Sequence, residues 1–419
     1  MSELNFTLKD VKCDNDDSSI ISETSENEKE CYFMCKCYFD LKEYDRCAYF
    51  TEKCESPCAK FLHYYSRYMA FEKKRVEDMT EQTCLLDSSQ TAVINSLQNE
   101  LAKERTKNNL DGFCCYLYGI LCKRLNLQDE AIDALCEAIR KEPLNWGAWK
   151  ELTGLIDDVR IVKTLNIPHS HWMKYFFLGH LYLDHQMNQA AIQLYWSLRE
   201  KGLQESRYIQ AQLAICYHNH RIVEKAIAEF SALQAADPYR LDNLDIYSNL
   251  LYIKEKKALL SHLAHRACEI DKYRVETCCI VGNLYSLRAE HQKAVVYFQR
   301  ALKINPQYLC AWTLMGHEYM EMKNSSAAIQ SYRQAIEANR RDYRAWYGLG
   351  QTYEILRMPS YCLYYYQQAQ LLQPNDSRML LAVGEIFEKL GQNENAIRSY
   401  KLARNVGDIE GTALIKLAK

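Results

Sequence analysis

The sequence predicts an all-α protein in which pairs of helices stack into a solenoid, and three observations carry this prediction. Glycine and proline are scarce, at 14 and 7 of 419 residues, whereas folds that are dense in turns use both more freely. Apolar residues recur at spacings of three and four, which place side chains on one face of a helix. The same pattern then returns every 34 residues, which indicates a repeat architecture.

The repeat is clearest in the last third of the chain. One unit carries, in order, Trp346, Leu349, Gly350, Tyr353, Cys362, Tyr366, Ala369 and Pro374. Residues of matching size occur 34 positions earlier, as in Trp312, Gly316 and Tyr332. This is the spacing of the tetratricopeptide repeat, whose helix pairs stack into a right-handed superhelix.

Small residues mark the place where the two helices of each unit cross. Glycine at position eight and alanine at position twenty let the helices approach closely, and an aromatic side chain at position twenty-four packs against them. Neither helix buries enough surface alone, so stacking of the units stabilises the array. The residues predicted to serve this packing are Gly282, Gly316, Gly350, Gly384, Ala294, Ala328 and Ala396.

The N-terminal part of the chain departs from the repeat consensus. Residues 1–30 hold nine acidic and three basic side chains with few large apolar ones, so we predict a disordered acidic tail there. Residues 31–171 contain apolar and aromatic segments of helical spacing, which we interpret as degenerate repeats.

Two interruptions are predicted inside these degenerate repeats. A polar insertion near residues 75–111 predicts a loop followed by a solvated helix over residues 91–105. The unit that begins at Trp146 has a second helix that shrinks to a short stretch before Pro168. The path of the chain is therefore expected to change there.

The remaining chain returns to the repeat pattern. Residues 172–240 form two central repeats, and residues 241–419 form the most regular ones. The residues from Leu414 onward open one more unit that stops at Lys419, so the last repeat is incomplete.

Composition disfavours several classes of function. A formal net charge of −2 gives no global attraction to nucleic acid or to an anionic membrane. No basic segment leads into an apolar signal sequence, and no stretch approaches the roughly 18 apolar residues of a membrane-spanning helix. We therefore expect a soluble intracellular protein whose 18 cysteines stay reduced and whose partners are proteins.

Motifs for catalysis, cofactors or metals find little support. Gly348 and Gly350 lack the third glycine of a dinucleotide-binding loop, and His262 and His265 lie three apart on a helix without a clear third ligand. One group of cysteines is dense enough to suggest a zinc site, but it lacks paired Cys-x-x-Cys units. Its members are Cys31, Cys35, Cys37, Cys47, Cys54 and Cys58. The sequence thus predicts no enzyme and no cofactor.

The first helices of the repeats provide a candidate peptide groove. Positions two, five, nine, twelve and thirteen of each unit are expected to turn inward and meet an extended peptide. Amides there can pair with a peptide backbone, and glutamates can receive an arginine. The candidates are Asn249, Asn283, Glu276, His317, Glu321, Gln351 and Glu354. Each has the alternative of being an ordinary solvated position, while their acidic character favours basic peptides.

Several segments carry residues that the repeat consensus does not dictate. They are Glu269–Glu276, Ala311–Asn324, Arg341–Tyr366 and Pro374–Leu380. Together they closely resemble the family of the eighth subunit of the anaphase-promoting complex, or cyclosome. A weaker resemblance extends over most of the chain after the acidic tail.

The resemblance implies a non-catalytic scaffold subunit of a mitotic ubiquitin ligase, present in nucleus and cytoplasm. It implies homodimerisation within residues 31–240 and contacts with related tetratricopeptide subunits and large platform subunits. It also implies that the C-terminal groove receives the arginine-containing C-box of a fizzy-type coactivator. The family continues with further repeats and a phosphorylatable tail beyond the point where this chain stops.

The alternative is a free-standing tetratricopeptide adaptor, similar to co-chaperones, that binds the acidic tails of other proteins. Such an adaptor needs lysine or arginine at inward positions of adjacent units to clamp a carboxylate. At position two, Arg344 and Arg378 are basic, whereas the other inward candidates are amides, histidine and glutamates. This pattern favours the scaffold over the adaptor.

Overall fold

The computed structural model describes residues 26–80, 88–107, 109–168, 171–374, 376–407 and 411–418. Within these residues the chain forms 22 α-helices and no strand, so the predicted all-α repeat fold is confirmed. Across the same ranges, no helix combines the length and the apolar character needed to cross a membrane. The chain divides into two compact units, the first ending at Gln204 and the second beginning at Glu205.

The first unit is built mainly of antiparallel helix pairs. Its helices are α1 (Glu26–Asp40), α2 (Tyr44–Thr51), α3 (Pro57–Thr80), α4 (Ser88–Thr106), α5 (Gly112–Arg124), α6 (Gln128–Lys141), α7 (Trp146–Thr153), α8 (Met173–Asp184) and α9 (Asn188–Glu200). A 3₁₀ helix, Val159–Lys163, stands where the second helix of the α7 repeat would be. The predicted shortening of that helix is therefore present.

Trp149 of α7 lies in the core of the first unit. Its side chain is fully buried, and its indole N–H donates to the carbonyl oxygen of Pro143 over 2.9 Å. Its ring lies 5.2 Å from that of Phe177 on α8. Because the 3₁₀ helix is so short, α7 packs on α8 across this aromatic contact.

Two expectations for the N-terminal region need correction. Helix α1 begins at Glu26, so the last five residues of the predicted disordered tail are helical; residues 1–25 lie outside the described part. Helix α4 is present but is not merely solvated, because Leu97 and Leu101 are buried in the main core of the unit. These two residues lie four apart and form an apolar stripe on an otherwise polar helix.

The second unit consists of regular helix pairs. Its helices are α10 (Arg207–Asn219), α11 (Val223–Ala236), α12 (Leu244–Ile253), α13 (Lys257–Ile270), α14 (Val275–Leu287), α15 (His291–Ile304), α16 (Leu309–Glu321), α17 (Ser325–Ala338), α18 (Tyr343–Ile355), α19 (Pro359–Leu372), α20 (Ser377–Lys389), α21 (Asn393–Gly407) and α22 (Thr412–Ala418). The repeat boundaries predicted at residues 171/172 and 240/241 stay predictions.

A residue in the left-handed backbone conformation joins the two helices of most pairs. In the turn after α18, the N–H of Arg357 donates to the carbonyl of Glu354, and the N–H of Met358 donates to that of Tyr353, both over 3.0 Å. These bonds satisfy carbonyls at the end of the first helix. The left-handed residues are Lys42, Asn126, Gln186, Arg221, Glu255, Ala289, Lys323, Arg357 and Gly391. From residue 221 onward they recur at the 34-residue period.

The helix crossings are tight wherever glycine occupies position eight. A Cβ added at Gly350 would lie 2.3 Å from ring carbons of Tyr366. The ring of Tyr332 is held between Gly316 and Gly348, where an added Cβ would lie 2.6 Å away on either side. The same crossing pairs Gly282 with Phe298 and Gly384 with Tyr400, and the position-twenty residues Ala294, Ala328 and Ala396 are buried.

Candidate functional site

The first helices of the second unit face one another across what we call the inner face, formed by α10, α12, α14, α16, α18 and α20. The hydroxyl of Tyr308, just before α16, donates to Oδ2 of Asp245 on α12 over 2.8 Å. Nη2 of Arg344 on α18 donates to Oδ1 of Asn219 on α10 over 3.1 Å. Since 63 and 125 positions of chain separate these partners, the surface that carries them must curve toward itself.

Asp245 is a buried carboxylate that accepts a hydrogen bond from Tyr308. Its side chain is only 3% exposed, and this burial raises its pKa, an effect that the hydrogen bond from Tyr308 opposes. Burial and the facing carboxylate both raise the pKa of Tyr308. The tyrosine therefore remains a hydroxyl donor at ordinary pH, and it satisfies an acceptor that would otherwise be buried without a partner.

His218 is held in its neutral form at the other inner-face contact. Burial, together with the positive charges of Arg344 and Arg221, lowers its pKa to about 3. A neutral imidazole can accept a hydrogen bond, and its Nε2 lies 3.1 Å from Nη2 of Arg344. The arginine is thus bonded to both His218 and Asn219 within the chain.

His317 occupies the same inner face on α16. One side of it is exposed to solvent, and its Nδ1 lies 2.8 Å from the hydroxyl of Tyr332. Removal of water by the surrounding protein, together with the positive charge of Arg344, lowers its pKa to about 4. His317 is therefore a neutral, accessible hydrogen-bonding group at physiological pH.

The predicted amides Asn249 and Asn283 are brought together, but they bind each other. Nδ2 of Asn283 donates to Oδ1 of Asn249 over 2.6 Å and to Oγ of Ser248 over 2.7 Å. Asn283 is only 2% exposed. The expectation that Asn283 meets a peptide is therefore wrong in this structure, because burial and two bonds within the chain occupy its amide.

The predicted glutamates differ in how far they are engaged. Glu276 accepts from Nε of Arg274 over 3.0 Å. Glu354 accepts from the hydroxyl of Tyr366 over 2.8 Å and from Nζ of Lys389. Glu321 is exposed, as is the amide of Gln351.

Sequence reasoning missed the cross-face contacts. Asp245 occupies position five of its unit, and His218 and Asn219 occupy positions twelve and thirteen of theirs. Other units carry Cys279, Thr313 or Tyr347 at the position of Asp245. A carboxylate at this position was therefore a sequence signal of an unusual contact. The partners could not be read from the period, because they belong to repeats that are not adjacent.

The cysteine-rich N-terminal helices raise the question of a metal site. Within the described ranges, no group of three or more His, Cys, Asp or Glu side chains is arranged to hold a metal ion. Cys35 and Cys47 are instead fully buried in a small core with Leu62. Their surroundings are those of apolar packing residues.

Helix pairs with a 34-residue period, glycine crossings and an inner face made of first helices define a tetratricopeptide-repeat protein. Models of this repeat match residues 275–308 and 313–357. Residues 5–214, half of the chain, match the model described as "Anaphase promoting complex subunit 8 / Cdc23". The chain belongs to that family.

Known relatives agree with this family membership. The chain is 54% identical over 252 residues to the human "Cell division cycle protein 23 homolog", a match covering 60% of this chain and 42% of the relative. It is 44% identical over 244 residues to the Arabidopsis thaliana "Anaphase-promoting complex subunit 8", covering 58% of this chain and 42% of the relative. The matches thus span about two fifths of the length of these relatives.

A solved structure shares the fold. It is the APC/C hetero-tetramer Cut9-Hcn1, which superimposes with a TM-score of 0.59 over 91% of this chain and 79% of that chain. At 18% sequence identity, this likeness concerns the architecture alone.

Proposed function

We propose that this protein is a non-catalytic scaffold subunit of the anaphase-promoting complex, a cell-cycle ubiquitin ligase. In this role it holds neighbouring subunits in a fixed geometry and so supports ubiquitination of mitotic regulators, in nucleus and cytoplasm. The observation that carries the proposal is the family match over residues 5–214. Stacked repeats suit the role because they present long, rigid surfaces without a catalytic cavity.

Three buried cysteines, Cys114, Cys216 and Cys362, do not suit a catalytic role. A cysteine that accepts ubiquitin must be accessible and must form a thiolate readily. Burial instead raises the pKa of Cys114, Cys216 and Cys362 to about 12. These side chains serve as small apolar packing residues.

We further propose that the protein is a homodimer formed within residues 31–240. Large apolar side chains lie exposed on the first helix pair: Phe33 is 53% and Tyr49 is 73% exposed, and Met34 and Phe50 beside them are also exposed. A cluster of this kind favours contact with another protein surface. A second copy would bury it.

The inner face of the second unit is proposed to receive an arginine-containing segment of a coactivator. Glu321 is exposed one helical turn after His317, so a carboxylate and a neutral hydrogen-bonding group lie on one face of α16. Glu354 already binds a cation, the ammonium of Lys389, which an incoming guanidinium could replace. Both features favour a basic ligand.

The basic residues do not support an adaptor that clamps acidic tails. Arg344 is bonded to His218 and Asn219. Nη2 of Arg378 donates to Oδ2 of Asp376 over 2.8 Å. A clamp would require both guanidinium groups to leave these partners.

Sedimentation of the full chain tests the proposal. Expressed alone, the chain is expected to sediment as a dimer at micromolar concentration. In a gradient of extract from dividing cells, it is expected to move with a large complex that contains ubiquitin-ligase activity. Sedimentation in the extract at the position of the isolated chain would contradict the scaffold role.

A further inference from the structure

The thiols of Cys31 and Cys54 converge on one backbone carbonyl. Sγ of Cys31 lies 3.6 Å and Sγ of Cys54 lies 3.9 Å from the carbonyl oxygen of Phe50. The two sulfur atoms are 3.8 Å apart. Both residues are half-buried, so a small reagent can reach them from the surface.

The local structure holds the two residues beside each other. Cys31 lies in α1, whereas Cys54 lies in the non-helical connection between α2 and α3. The N–H of Glu55 donates to Oε1 of Glu28 over 3.1 Å, which fixes this connection against α1. A disulfide needs a sulfur separation of about 2.05 Å, so the two sulfur atoms must approach each other by roughly 2 Å.

We propose that Cys31 and Cys54 are a site of reversible disulfide formation, with a small-molecule disulfide such as glutathione disulfide as the oxidant. The thiol of Cys31 loses its proton and attacks one sulfur of the oxidant, which releases one glutathione thiolate. Cys54 then loses its proton and attacks the Cys31 sulfur of the mixed disulfide, which releases the second glutathione. The protein gives up two electrons and two protons, and the oxidant becomes two glutathione molecules.

The position of this pair gives the bond a structural effect. Cys35, Cys47 and Leu62 form a small core of their own, apart from the main core of the first unit. Helix α1 therefore has less buried apolar surface to hold it than the helices that follow. A bond from Cys31 to Cys54 would staple α1 to the connection before α3 and suppress its local opening.

Exposure separates this pair from the two buried cysteines beside it. Cys35 and Cys47 are fully buried, and because burial also raises the pKa of Cys54, to about 11, thiol acidity does not distinguish the pair from them. An oxidant in solution therefore meets Cys31 and Cys54 before it meets these two. The inference rests on this geometry and does not depend on the proposed function.

The test is oxidation of the full chain with glutathione disulfide, followed by alkylation of the remaining thiols, trypsin digestion and mass spectrometry. The expected product joins the peptides Glu30–Lys36 and Cys54–Lys60. The cross-link should vanish in C54S and persist in C58S and C37S. Cys37 is a matched control because it is an exposed cysteine on the same helix.

A second measurement tests whether the disulfide suppresses the local opening of α1. Amide hydrogen exchange in α1 is expected to slow by about tenfold on oxidation of the wild type and to stay unchanged in C54S. Complete oxidation that leaves glutathione on both cysteines without a cross-link would overturn the proposal. A cross-link that persists in C54S, or one that leaves the exchange of α1 unchanged, would do so as well.

Discussion

Arg344 and His218 are hydrogen-bonded across the inner face of the second unit, with Nη2 of the arginine 3.1 Å from Nε2 of the histidine although 126 positions of chain separate them. The bond requires a neutral imidazole, because a protonated ring has no free acceptor. It links the first repeat of this unit to one much later in the chain. The bond from Arg344 to His218 therefore depends on the protonation state of one histidine, whereas the bond from Arg344 to Asn219 does not.

Acidification should weaken the second unit through His218. Its pKa is lowered from 6.5 to about 3 in the folded chain, so the contribution to stability is complete above pH 6.5 and is lost as the pH falls toward 3. Between pH 7 and pH 5 the wild type is expected to lose about 2 kcal/mol more than H218Q. Glutamine keeps an acceptor for Arg344 but does not titrate.

Urea unfolding of both proteins at the two pH values checks this prediction, since their difference removes the titration of groups that they share. Equal losses of stability in the wild type and in H218Q would show that the imidazole is already solvated in the folded chain.

Substitution of Gly350 by alanine should destabilise the fold. The new Cβ would lie 2.3 Å from the ring of Tyr366, and that ring cannot swing aside freely because its hydroxyl is bonded to Glu354. Overpacking of this kind costs about 1 to 3 kcal/mol, measurable by urea unfolding.

The shorter side chain in Y366L should recover part of the loss when it is combined with G350A, since the two substitutions act on one contact. Additive losses in the double variant would mean that the clash lies elsewhere.

At the left-handed position of the turns, replacing glycine by alanine and replacing alanine by glycine should change stability in opposite directions. Gly391 has a φ of +74° and no neighbour within 4 Å of an added Cβ, so G391A changes the backbone energy alone and should cost about 1 kcal/mol. Ala289 occupies the same position of an earlier repeat with a φ of 60°. A289G should therefore raise the unfolding midpoint, whereas G391A should lower it. A shift in the same direction for both variants would contradict a left-handed backbone at the two positions.

Glu321 provides the test of the inner face as a basic-peptide site. E321K should weaken the binding of an arginine-containing coactivator peptide by about tenfold, because a charge-assisted contact becomes a repulsion. E337K makes the same charge change on α17, the second helix of that repeat, where Glu337 is exposed. Fluorescence anisotropy with the full chain measures both affinities, and an equal loss in the two variants would indicate a non-specific charge effect.

The helices and their pairing were predictable because the 34-residue period repeats the same local requirements. Gly350 and Tyr366 illustrate this, since the four units from residue 275 onward all carry glycine at the first position and an aromatic residue at the second. Helix α4 was harder, because its apolar stripe of Leu97 and Leu101 is set in a polar background. Few apolar residues suffice to bury a helix when a neighbouring core is available.

The inner-face contacts were less predictable for a different reason. The repeat pattern indicated that Asn283 faces inward, but its burial depends on Ser248 and Asn249 of the preceding repeat. The partners of Arg344 depend on the accumulated curvature of several repeats. A sequence period specifies which positions turn inward, whereas the distance between repeats that are far apart is a property of the folded array.

Affinity purification of the full chain from dividing cells tests the scaffold role most directly. Quantitative mass spectrometry is expected to find the other subunits of the anaphase-promoting complex in amounts comparable to the chain itself. E321K should retain these subunits while losing coactivator, because the substitution changes the inner face alone. Recovery of chaperones or isolated peptide-tail proteins in place of the complex would contradict the scaffold role and favour the adaptor.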